Sequence, residues 1–168
     1  RGKYGVSVKT TVTELDRNRV AVSFDVVEGD VSKIRQINIV GNQDFSESEL
    51  RDLMKLTTPT MWTWMSSNDQ YSKKKLSADL EVIRSFYLDG GYLEFTVDST
   101  QVSISPDKKD IYITVNITEG AKYTVSDIKV AGPEKILPHD EMRKLIPIKA
   151  GDIFSRKELT ESQKKISD

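Results

Sequence analysis

Glu119-Gly120, followed by Ile128-Lys129-Val130-Ala131-Gly132, repeats Glu28-Gly29 followed by Ile37-Asn38-Ile39-Val40-Gly41, ninety-one positions upstream. The match extends outward in both directions. Glu49-Leu50-Arg51-Asp52-Leu53-Met54 answers to Glu141-Met142-Arg143-Lys144-Leu145-Ile146 after a slip of one residue. Lys75-Leu76-Ser77 answers to Glu158-Leu159-Thr160, and Ile83 to Ile166. Backward, Gly91, Phe95, Val97 and Val102 answer to Gly2, Val6, Val8 and Val12. Self-similarity at a fixed spacing marks a tandem array of like modules. The expected organisation is one full module at 31–120, the back half of a predecessor at 1–30 and the front half of a successor at 121–168. The chain then reads as a window on a longer array.

Within one module the pattern names its elements. Residues 33–41 alternate and end in Gly41-Asn42, a strand and a turn. Ser46 and Glu49 have capping-box spacing, and Phe45 and Leu50 sit where a hydrophobic staple closes a helix start, so a helix is expected from Glu47 to about Leu56. Ser72 opens a second helix with Leu76, Leu80, Ile83 and Tyr87 on one face, stopped by Asp89-Gly90-Gly91. Two alternating strands follow, 92–104 and 110–119, joined by a hairpin at Pro106-Asp107-Lys108-Lys109. The order β-α-α-β-β predicts an α+β fold in which two helices cover a three-stranded mixed sheet. The flanking pieces keep that order. Residues 4–15 and 18–28 form a hairpin about Asp16-Arg17-Asn18, while 122–131, 139–146 and 155–168 read as strand, helix and helix.

Composition excludes several classes. Twenty-five basic residues face twenty-six acidic ones, without the basic excess that phosphate backbones demand. No apolar run nears the roughly 18 residues of a spanning helix. With no cysteine, disulfide staples and thiolate metal sites are excluded. His139 is the single histidine, and its repeat counterpart is Glu47, which leaves a general base without support. No phosphate loop, nucleophile elbow or His-Glu-x-x-His occurs. No catalytic residue, metal site or cofactor is expected. Lys73-Lys74-Lys75 reads as a solvated face or a contact for anionic headgroups.

The β-α-α-β-β repeat resembles the POTRA module. The runs Gln36-Ile37-Asn38-Ile39-Val40-Gly41-Asn42, Asp98-Ser99-Thr100-Gln101-Val102-Ser103 and Val115-Asn116-Ile117-Thr118-Glu119-Gly120 are similar to the periplasmic arm of outer-membrane β-barrel assembly factors, at the end of a second module, the whole third and the start of a fourth. The resemblance implies a non-enzymatic periplasmic scaffold whose parent chain continues into a membrane β-barrel. Its implied partners are accessory lipoproteins and unfolded outer-membrane protein clients, with no nucleic acid. A transport arm of a two-partner secretion barrel is the alternative within the family. A nucleic-acid-binding α+β domain is the alternative outside it, but that needs stacked aromatics on the middle strands, which offer only Tyr112.

Three features point to binding. The strand after the second helix is expected at a sheet edge, with Asp98, Thr100, Val102 and Ile104 either presented to a partner strand, the preferred reading, or left as a solvated edge guarded by polar residues. The loop between the helices is about nine residues longer than its counterpart and holds Met61, Trp62, Trp64 and Met65. Such a loop folds back as a lid, the preferred reading, or is offered to a partner. Third, the linkers after Gly29 and Gly120 are only a few residues long. The two half-modules also expose complementary apolar faces, which predicts head-to-tail self-association through strand 122–131 of one chain and strand 18–28 of another.

Overall fold

The computed structural model describes residues 6–29, 31–60, 63–131 and 138–167, with the backbone alone at 63 and 64. Its elements are β1 (Ser7–Leu15), β2 (Arg19–Val27), β3 (Lys33–Val40), α1 (Glu47–Asp52), α2 (Thr63–Ser66), α3 (Lys73–Asp89), β4 (Thr96–Ile104), β5 (Asp110–Thr118), α4 (His139–Lys144) and α5 (Arg156–Ser167). β1 and β2 form an antiparallel hairpin, turned by Arg17 and Asn18 at positive φ. The second sheet has the order β3-β5-β4. It is mixed. Lys33 N–H bonds Lys109 O at one end of β3 and Gly41 abuts Ile117 O at the other, so β3 and β5 run parallel. β5 and β4 are antiparallel about the Ser105–Asp110 turn, closed by Ser105 N–H to Asp110 O at 2.9 Å.

The helix ends follow the chemistry of their caps. Ser46 Oγ accepts from Glu49 N–H at 3.3 Å and Glu49 Oε2 accepts from Ser46 N–H at 2.8 Å, the reciprocal pair read from the sequence. α1 nonetheless stops at Asp52, about one turn short of Leu56. Met54 and Leu56 are both buried, and residues two apart lie on opposite sides of a helix. Met54 N–H therefore bonds Arg51 O at 3.0 Å, a tightened last turn that lets the chain leave the helix and bring both side chains inward. α3 closes with Tyr92 N–H to Tyr87 O at 3.0 Å across Gly91 at φ +95°, the left-handed end that glycine adopts without cost.

Two compact units divide the described residues: those within 1–38, 55–77 and 101–114, and those within 39–54, 78–100 and 115–168. In the first, Ile34, Ile37, Leu56, Leu76, Ile111 and Ile113 are buried. Val8, Val12, Val20, Val22 and Phe24 of the hairpin are exposed. In the second, Ile39, Leu50, Ile83, Val115 and Ile117 are buried together with Tyr87, Tyr92 and Phe95. Tyr87 stacks on Phe95 at 4.2 Å and meets Phe45 edge-on at 5.2 Å. Each fully buried aliphatic or aromatic side chain contributes about 1.5–3 kcal/mol.

The expected strand at 122–131 reduces to one antiparallel bridge, Thr124 with Ile153. β3 takes its ladder from β5. Among the described residues no strand stands beside 122–131 to supply one, and a strand without a neighbour leaves its N–H and C=O groups unpaired.

Candidate functional site

β4 carries the expected edge residues and, among the described residues, has β5 as its one neighbour. Asp98 and Thr100 are exposed, and Val102 and Ile104 remain 37% and 40% exposed. Ser105 N–H points to β5, so by the alternation of an antiparallel strand the N–H and C=O groups of Val102 and Ile104 point to the open side. Asp98 is not free to pair at will. Its Oδ2 accepts from Thr118 Oγ1 at 2.6 Å and its Oδ1 from Thr96 Oγ1 at 2.7 Å, and these hydroxyls hold the carboxyl below its usual range. Asn116 Nδ2 donates to Ser99 Oγ at 2.7 Å, a second side-chain tie from β5 to β4.

In the loop between α1 and α3, Met61 and Trp62 lie outside the described residues. Trp64 falls in α2, a single turn, and Met65 beside it is 70% exposed. Beyond α2 the loop does something the sequence reading missed. Ile34 N–H bonds Asp69 O at 2.7 Å, and Lys33 and Gln70 form an antiparallel bridge, so Asp69 and Gln70 pair with β3. The Asp69 side chain is 2% exposed, with Oδ2 at 2.7 Å from Lys33 Nζ. That separation makes an ion pair, although the angles are not those of a hydrogen bond, so charge holds the contact. Lys75, expected on a solvated face, is half-buried and donates to Ser67 O at 2.9 Å. One signal was available for this pairing: Asp69 recurs as Asp152 at the offset that aligns α3 with α5.

A buried polar network ties the end of β5 to α3 and to the turn that precedes α1. Glu119, 7% exposed, accepts from Tyr87 Oη at 2.7 Å and from Asp44 N–H at 3.2 and 3.3 Å. Tyr92 Oη donates to Asp44 Oδ2 at 2.7 Å. That bond and then burial raise the Tyr92 hydroxyl to about 12, while burial first and Glu119 second raise Tyr87 further still. Gly41, at φ +100°, closes the same corner. A Cβ there would lie 2.0 Å from Ile117 O, so no other residue fits. The repeat showed Glu119 as a signature residue but not as a hydrogen-bond acceptor.

The seam after Gly120 is also built. Tyr123 Oη donates to Glu94 at 3.0 Å, Tyr123 N–H bonds Gly91 O at 2.9 Å, and Lys122 Nζ sits 5.8 Å from the Tyr92 ring centre. Asp89 Oδ1 accepts from Lys157 N–H at 2.8 Å in the first turn of α5. His139 begins α4 and is partly buried. Among the described residues no group of three or more His, Asp or Glu side chains is placed to hold a metal ion, and no helix is long and apolar enough to cross a membrane.

The outer membrane protein assembly factor BamA of Neisseria meningitidis serogroup B is 31% identical over 160 residues, covering 95% of this chain and 20% of that protein. BamA of Buchnera aphidicola is 35% identical over 140 residues, covering 83% of this chain and 22% of that protein. The chain thus spans about a fifth of the length of these curated relatives. The crystal structure of POTRA3-5 of Haemophilus influenzae BamA superposes with a TM-score of 0.60 at 21% identity, covering 99% of this chain and 62% of that one, which shows the fold. The POTRA family, described as a surface antigen variable number repeat, matches residues 32–120 and 123–168. With most of its length matched and the α+β arrangement of β3-β5-β4 with α1 and α3 in place, this chain belongs to the POTRA family.

Proposed function

We propose that this chain is part of the periplasmic arm of an outer-membrane protein assembly factor, acting as a scaffold that catalyses no reaction. Its parent chain continues into a membrane β-barrel. It receives unfolded outer-membrane protein clients and docks accessory lipoproteins, in part by strand addition. The observation that carries this reading is the open side of β4, with exposed Val102 and Ile104 beside outward N–H and C=O groups. Main-chain pairing is indifferent to sequence, which suits a receptor for many clients, and alternate side chains add anchorage. The assembly-factor relatives support the setting.

The test is a titration of the isotopically labelled chain with an extended peptide of alternating Val and Thr. Amide shifts should concentrate at Gln101–Ile104. The double substitution Val102→Pro and Ile104→Pro removes two outward donors at an edge that tolerates proline, so the folded variant should bind more weakly. Unchanged affinity in that variant refutes the reading.

A further inference from the structure

On β3, Lys33 N–H bonds Lys109 O of β5, so the next outward donor is Ile34 N–H on the far side of the strand. That side is the second edge of the sheet. A sheet with two open edges would take strands on both, and here one is partly closed from within. Asp69 O receives the Ile34 donor at 2.7 Å, and the bridge of Lys33 with Gln70 makes Asp69-Gln70 a two-residue strand stub. The stub is anchored by Thr57 N–H to Asn68 O at 3.1 Å and by Lys75 Nζ on Ser67 O at 2.9 Å. Its side chain Asp69 is buried against Lys33.

The next module repeats the backbone part independently. Val125 N–H bonds Asp152 O at 2.8 Å and Thr124 bridges Ile153, with Val125 aligned to Ile34 and Asp152 to Asp69. The ion pair does not recur. Thr124 stands where Lys33 does, and Asp152 Oδ2 instead accepts from Lys149 N–H at 2.7 Å. The stub is therefore a device of the repeat, and its charge lock belongs to the complete module.

We propose that residues 68–70 are an edge guard on β3, that the Lys33–Asp69 pair keeps it shut, and that the module consequently adds foreign strands on β4 alone. Only the second half of this statement rests on the strand-addition reading. A guard that occupies the first outward donor blocks the register from which a ladder would propagate. It gives the module one entry side, so a client pairs in one place and a second copy cannot zip onto β3.

The experiment uses the whole chain and the variants Asp69→Asn and Lys33→Gln, with melting curves as the check on folding. Lys33 is half exposed, so its variant carries the measurement if the buried one fails to fold. Amide hydrogen exchange is read at Ile34 against Ile113 of the central strand. Loss of the lock should speed Ile34 exchange about tenfold or more while Ile113 is unchanged. A spin-labelled peptide of alternating Val and Thr should broaden Val102 and Ile104 in the parent, and Ile34 and Gln36 as well in the variants. Ile34 amides as protected in a folded variant as in the parent, or a label that reaches Ile34 in the parent, overturn the guard. A label that reaches neither edge of the parent, with Ile34 opening in the variants, leaves the guard standing and removes the strand-addition reading.

Discussion

Deleting one hydroxyl tests whether the buried network holds the module together. Tyr87→Phe keeps the ring and its 4.2 Å stacking on Phe95, and removes only the donor that reaches Glu119 at 2.7 Å. Tyr87 is fully buried and Glu119 is 7% exposed, so water does not readily replace the lost bond. A hydrogen bond to a charged group contributes about 1.5–3 kcal/mol. For a chain of this size each kcal/mol moves the melting midpoint by about 2–4 °C, so a fall of about 3 °C or more is expected. Urea titration gives the free energy directly. The partner change Glu119→Gln preserves an acceptor and removes the charge, and the double variant completes a cycle with an expected coupling of about 0.5–3 kcal/mol. A Tyr87→Phe protein within about 0.5 kcal/mol of the parent, the range of ordinary surface changes, refutes the reasoning.

Two titrations follow from the hydroxyl contacts. Asp98 has its carboxyl lowered by Thr118 and then Thr96, so its contribution to stability is present above the ordinary Asp value of about 3.9 and is lost as pH falls through the folded value. Carboxyl chemical shifts should show this, and Thr118→Val should move the midpoint back up. Tyr92, raised to about 12 chiefly by its bond to Asp44, favours the fold fully below its ordinary value of 10.0 and loses that contribution as pH climbs toward 12; an ultraviolet titration of phenolate formation reads it. For the tryptophans, the lid reading expects Trp62→Ala or Trp64→Ala to lower stability by about 3–5 kcal/mol in thermal melts, and an unaffected melt with weaker partner binding rejects the lid. Head-to-tail association is expected from the exposed Val22 and Phe24 of β2 together with Leu159 and Ile166 of α5. Sedimentation should show concentration-dependent growth that Val22→Ser with Phe24→Ser suppresses, and a parent that stays monomeric at every concentration excludes it.

Sequence reading reached the parts of this fold that local chemistry specifies. The Ser46–Glu49 box, the stop at Asp89-Gly90-Gly91 and both hairpin turns each depend on residues within a few positions of one another, and each is present. The extent of α1 was misjudged because the burial of Met54 and Leu56 overrides helical continuation, and burial is set by distant strands. Residues 122–131 have the alternation of a strand, but alternation supplies side chains for a face and not a neighbour for the backbone. The pairing of Asp69 and Gln70 with β3 was invisible to periodicity, since a two-residue stub has no period. The Glu119 network was half legible: the repeat flagged the residue, but its partners Asp44 and Tyr87 lie far along the chain.

Asp89 is the last residue of α3, yet its carboxylate accepts the Lys157 amide in the opening turn of α5. Gly91 has no Cβ, and one placed there would stand 2.9 Å from both Ile153 Cγ2 and Tyr123 O. Glu94 holds the Tyr123 hydroxyl. Each of these residues belongs by sequence to one repeat and is satisfied by the following one. The repeats are therefore not interchangeable beads. A graft or a recombination event that moves 31–120 alone strands a helix cap, a glycine and a carboxylate, whereas one that carries the segment through Lys157 transfers them intact. What is heritable as a working part in such an array is a repeat together with the threshold of its neighbour.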